Sequence, residues 1–100
     1  LDPNNDLVLS TASIWEMQLK LKAGKLTLRQ PLRRMLDDQV QQNGLEIVPV
    51  GVEHSLCLDS LPFHHRDPFD RILIATAQVE GWTLVSHDGA FGAYGVPILR

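Results

Sequence analysis

Three acids, Glu16, Asp70 and Asp88, stand at positions where side chains can converge in an open α/β sheet. Glu16 falls in the first turns of a helix entered directly from the apolar run Leu7-Val8-Leu9. Asp88 follows Leu84-Val85-Ser86, which reads as a strand, and Asp70 lies in the first turn of the helix leading into it. Ligand sites in parallel sheets gather beyond the carboxyl ends of the strands. Carboxylates meeting there repel one another unless a cation sits between them. Mg2+ or Mn2+, hard ions that prefer oxygen, suit such a donor set. An ion of this kind polarises a phosphoryl oxygen and generates hydroxide from bound water. Each acid also has a simpler role open to it. Ser13-Ile14-Trp15-Glu16 and Asp67-Pro68-Phe69-Asp70 both fit capping boxes, and Asp88 in His87-Asp88-Gly89 fits a turn.

The elements that must position these acids are legible from periodicity and punctuation. Ser10 and Ser13 are both possible N-caps for a helix with Ile14, Met17 and Leu21 on one face, ended by Gly24. Pro31 suits a first helical position, and Leu32, Met35, Leu36 and Val40 form an apolar stripe closed by Gly44. Ile47-Val48-Pro49-Val50 reads as a strand whose proline implies an edge or an end. A short helix is predicted over residues 52–61, stopped by Pro62. Asp67 then caps a helix with Pro68 at its first position, rich in apolar residues as far as Gly81. A last strand over residues 96–99 carries Pro97 and so reads as an edge strand. Strands joined through helices imply a parallel sheet with helices packed on it.

One hundred residues of ordinary globular composition make one domain, residues 1–100. The net charge of −3 does not favour a nucleic-acid binder, but the distribution says more than the total. Lys20, Lys22, Lys25, Arg29, Arg33 and Arg34 supply six of the nine basic residues, with no acid between Glu16 and Asp37. Such a block can meet phosphates or an acidic partner, or can simply be a solvated face. Cys57 is the single cysteine, which rules out an internal disulfide and fits a reducing, cytoplasmic setting. Between Leu56 and Leu58 it reads as a small buried hydrophobe. No apolar run approaches the roughly 18 residues that span a membrane. His54, His64, His65 and His87 lack the spacing of a zinc site, and Trp15 and Trp82 read as core residues.

Two segments, LSTASIWEMQLKLKAGKL and LPFHHRDPFDRILIATAQVEGWTLVSHDGAFGAYGVPIL, and their separation closely resemble the PIN-domain family in its VapC-like toxin branch. The most specific part is His65-Arg66-Asp67-Pro68-Phe69-Asp70-Arg71, followed by an apolar helix and Leu84-Val85-Ser86-His87-Asp88. The resemblance implies a Mg2+- or Mn2+-dependent endoribonuclease of toxin–antitoxin type. Its partners would be an RNA substrate, a cognate antitoxin and a second copy of the chain. Glu16, Asp70 and Asp88 match the family's metal-binding acids, and Ser86 matches a hydroxyl position near the metal-bound water or phosphate. Asp67 is assigned to capping. Arg71 and Lys20 are candidate contacts to the RNA backbone.

The same resemblance implies a further strand ahead of Leu7, ending in a fourth metal-binding aspartate. That strand would be central, between residues 7–9 and residues 84–86, and neither Asp2 nor Asp6 can replace its aspartate. The expectation is therefore an N-terminally incomplete PIN-like domain with a parallel sheet between helices and its first, central strand missing. Buried amides left unpaired cost about 1–3 kcal/mol each, so such a chain is expected to be marginal, to rearrange or to borrow a strand. The alternative function is an inactive remnant that only binds an antitoxin or another subunit.

Overall fold

A computed structural model describes residues 7–61, 67–85 and 98–99. The order is β1 (Val8–Ser10), α1 (Thr11–Lys22), α2 (Leu32–Asn43), β2 (Glu46–Val48), α3 (Val52–Cys57), α4 (Pro68–Glu80), β3 (Leu84–Val85) and β4 (Ile98–Leu99). A 3-10 turn, Leu58–Ser60, extends α3. The fold is mixed α/β, as the alternating pattern predicts.

Local signals set most helix ends. The Ser10 hydroxyl accepts from the Ala12 N–H and starts α1, so of the two candidate serines Ser10 is the cap. Asp67 caps α4, its Oδ1 accepting from the Phe69 N–H at 2.8 Å and the Asp70 N–H at 3.3 Å, with Pro68 following. Gly44 and Gly81 end α2 and α4 at φ 66° and 73°, a left-handed geometry that side-chain-bearing residues rarely adopt. Pro31 precedes α2 as its cap residue instead of opening it.

The sheet order is β2-β1-β4-β3. β1 and β2 pair in parallel, Leu9 opposite Ile47, as a connection through two helices requires. β2 is an edge strand, in keeping with Pro49 just after it. β4 departs from expectation twice: it is interior, and it runs antiparallel to both β1 and β3. Among the described residues, the place that the resemblance reserves for a further central strand is thus filled by Ile98–Leu99, and the parallel pairing is that of β1 with β2. The physical reason is that β1 and β3 both need backbone partners, which a reversed strand supplies as well as a parallel one.

Leu9, Met17, Leu32, Met35, Leu36 and Leu45 form one buried cluster, with Ile14, Leu21, Leu26 and Leu28 packed against it. Val40 is exposed, so the stripe on α2 ends at Leu36. Two other residues depart from their expected burial. Cys57 is only half-buried beside an exposed Leu56, and Trp15 is 63% exposed. Leu56 and Cys57 face outward on α3, which is tied to α4 through another residue, His54.

His54 is buried, and both ring nitrogens are engaged. Nδ1 accepts from the Gly51 N–H at 2.8 Å, and Nε2 faces Glu80 Oε1 at 2.8 Å. Since Nδ1 accepts, Nε2 carries the proton and donates to the carboxylate. This side chain both starts α3 and ties it to the end of α4. His54→Ala should therefore lower stability by about 2–3 kcal/mol, read as a shift in urea midpoint at unchanged slope.

Candidate active site

β1 runs into α1 without a loop, because Ser10 ends the strand and caps the helix. That junction carries Glu16 to a position roughly one and a half turns into α1, close behind the carboxyl end of β1. Asp67 and Asp70 open α4, and the start of α4 lies against the start of α1. There the rings of Trp15 and Phe69 meet edge-to-face, 5.2 Å apart at 80°. Two helix beginnings, each bearing acids, are thereby drawn together.

Glu16 is the most informative residue of the set. Ser13 lies within α1 and does not cap it, so the capping-box role for Glu16 disappears. Its side chain is buried, with the residue only 8% exposed, and Oε1 has no hydrogen-bond partner. Oε2 lies 3.6 Å from Lys20 Nζ. Burial pushes the carboxyl above its ordinary value of 4.5; Lys20 opposes that shift, and the negative charges of Asp67 and Asp70 add to it. An isolated buried carboxylate is costly unless paired, and one Lys at this distance leaves half of it unsatisfied.

The remaining predicted residues divide clearly. Asp70 is half-buried at the first turn of α4, near enough to Glu16 to raise its proton affinity. Asp67 is exposed and caps the helix, the role assigned to it from sequence. Lys20 pairs with Glu16, and Arg71 Nη2 donates to the Leu58 carbonyl at 3.2 Å, linking α4 to the 3-10 turn. Ser86 and Asp88 lie outside the described residues. So do His64, His65 and His87. Among the described residues, no three His, Cys, Asp or Glu side chains come close enough to form a ligand set.

An apolar pocket of about 410 Å³ opens where the starts of α1 and α4 meet, lined chiefly by Trp15, Val50, Leu58, Phe69 and Ile72. Sequence reading missed it. Trp15 and Ile72 look like core residues by spacing, and only the meeting of α1 with α4 shows that their faces line an open cavity.

The arrangement offers oxygen donors at the end of a strand, with one buried carboxylate oxygen lacking any partner. A PIN-domain family model matches residues 1–96. The chain belongs to the PIN-domain family. No match was found among curated proteins or among solved structures. PIN domains are generally metal-dependent nucleases, so the family points to nuclease-type chemistry with a divalent metal. Glu16 Oε1, buried and unpartnered, is a hard oxygen donor of the kind such an ion takes, although among the described residues no set of three candidate ligands surrounds it.

In this PIN domain Asp67 and Asp70 are separable by mutation. Asp67→Ala should cost about 1 kcal/mol of stability through loss of the cap while leaving divalent-ion binding within roughly twofold. Calorimetric titration with Mn2+ beside a thermal melt measures both; a large loss of Mn2+ affinity would make Asp67 a ligand.

Proposed function

We propose that this PIN domain is a Mg2+- or Mn2+-dependent endoribonuclease of the VapC-like toxin branch, acting in the cytoplasm. The observation that carries the reading is Glu16, a buried carboxylate with an unpartnered oxygen, set close to Asp70. Glu16 and Asp70 would hold the ion, together with Asp88, while Ser86 would orient the attacked phosphate or the attacking water by hydrogen bonding. The bound ion supplies Lewis acidity toward the scissile phosphate and lowers the pKa of a coordinated water.

The protein's own contribution is electrostatic. Burial first, and then the charges of Asp67 and Asp70, draw the Glu16 carboxyl toward its protonated form until a cation offsets them, so ion binding and carboxylate ionisation are coupled. Lys20 shields one Glu16 oxygen and leaves the other for coordination. Lys20 and Arg71 are the candidate backbone contacts closest to these acids in sequence.

The VapC-like branch implies a cognate antitoxin and a second copy of the chain as protein partners. Trp15, Val52 and Leu56 are exposed apolar side chains that a protein partner would cover.

Incubation of the chain with RNA and Mn2+ tests the reading. Internal cleavage that EDTA abolishes, with saturable Mn2+ uptake by calorimetry, is the expected result. An absence of both would favour the inactive, partner-binding remnant.

A further inference from the structure

We propose that the segment from the last turn of α1 to the first turn of α2 carries a separate phosphate-tracking strip, made of Lys22, Lys25, Arg29, Arg33 and Arg34, that binds the backbone of single-stranded RNA. The inference rests on the ribonuclease reading and extends it to a surface outside the acid site. All five side chains are exposed. None of them makes an ion pair or side-chain hydrogen bond among the described residues, whereas Lys20, just before them, is paired with Glu16.

The backbone displays these cations deliberately. The Lys25 N–H bonds to the Lys20 carbonyl at 2.9 Å, folding the chain back over the end of α1. Beyond it Leu26 and Leu28 are partly buried and packed against the core cluster, while Lys25, Thr27 and Arg29 alternate with them and are exposed. The two leucines act as anchors that hold the intervening side chains outward. Lys22 lies in the last turn of α1, where a cation is favourable.

Arg33 and Arg34 break a local rule. They occupy the first turn of α2, which contains no acid and no side-chain cap, although a helix start favours negative charge. Asp37 and Asp38, one turn later, stand at the spacing for i,i+4 pairing, but neither forms an ion pair with these arginines. Asp38 instead accepts from Gln30 Nε2 at 3.4 Å. Cations placed against a dipole and left unpaired stabilise nothing in the fold, and such local conflicts concentrate at functional surfaces. Exposed cations in a stretch that holds no aromatic ring to stack on a base match phosphates, whose contacts position a nucleic acid without reading its sequence.

The test uses the full chain in EDTA, so that RNA stays intact, with a labelled single-stranded RNA followed by anisotropy across a salt series. Each phosphate contact contributes a slope of about −0.7 in log K against log salt, equivalent to roughly fivefold at 0.1 M. Arg33→Gln with Arg34→Gln should therefore weaken binding roughly 10- to 25-fold at 0.1 M salt and flatten the slope by about 1.4. The thermal midpoint should hold or rise, because the conflict with the helix dipole is removed. Lys22→Gln with Lys25→Gln, away from that helix start, should produce the same flattening. Unchanged affinity and slope in both pairs would overturn the proposal, as would equally tight binding of polyglutamate, which would assign the strip to an acidic protein. Mn2+ cleavage separates the two readings. Salt-steep binding without cleavage removes the nuclease and keeps the strip, whereas cleavage with unchanged RNA affinity in both variants does the reverse.

Discussion

Asp70→Asn is expected to reduce Mn2+-dependent RNA cleavage at least about 100-fold while leaving the fold in place. Residues that merely support metal ligands typically cost 10- to 100-fold in affinity or activity when changed, so a ligand itself should cost no less. The amide keeps the size of the side chain but loses the charge that holds a hard cation. The structural penalty is small by comparison. Asp70 lies in the first turn of α4, where an acid is worth about 0.3–1 kcal/mol against the helix dipole, and Asp67 still caps the helix. Circular dichroism and a thermal melt establish that the variant is folded. Cleavage retained within severalfold of wild type would remove Asp70 from the site. Loss of cleavage together with loss of Mn2+ uptake, in a folded protein, supports ligation directly.

Glu16→Gln should act in the opposite sense on stability. Burial and the neighbouring Asp67 and Asp70 raise the Glu16 carboxyl above 4.5 in the folded protein. The folded state therefore binds the Glu16 proton more tightly than the unfolded chain does. The stability contributed by the protonated form is fully present below the unfolded value and is lost as pH rises through the raised folded value. At neutral pH and without metal, the neutral amide should make the protein more stable by about 1 kcal/mol, after allowance for the lost Lys20 pairing. The gain should shrink as pH falls, because the raised folded pKa lets the buried wild-type carboxyl take up its proton at a higher pH than an ordinary glutamate does. With saturating Mn2+ the order should reverse, because the ion stabilises only the form that binds it. Urea midpoints at pH 7 and pH 5, with and without Mn2+, measure all three effects. A destabilisation by Glu16→Gln that is equal at both pH values and indifferent to Mn2+ would mean that the buried carboxylate serves packing alone.

These two substitutions probe a site whose parts come from different levels of organisation. Most helix ends follow from neighbours in the chain: Asp67-Pro68, Gly44 and Gly81 act within a turn of their own position, and the sequence shows them directly. The apolar stripe of α2, the parallel pairing that a helical connection requires, and the capping role of Asp67 were legible for the same reason. The family was legible because its motifs are local strings.

What the chain could not show alone was long-range. Ile98–Leu99 offers only two paired residues beside a proline, which resembles an edge strand; its interior place depends on the needs of β1 and β3, both distant in sequence. Trp15 has the composition of a core residue, yet α4 meets α1 at one side of it and leaves the ring exposed beside a pocket. Three acids at suggestive spacings were equally consistent with capping boxes and a turn. The sequence by itself determined which residues could bind an ion. Tertiary structure decided that Ser10 caps α1, so that Glu16 is buried with one oxygen unpartnered in the field of Asp67 and Asp70. Burial and electrostatic field are sums over neighbours from distant parts of the chain, and no local pattern contains them.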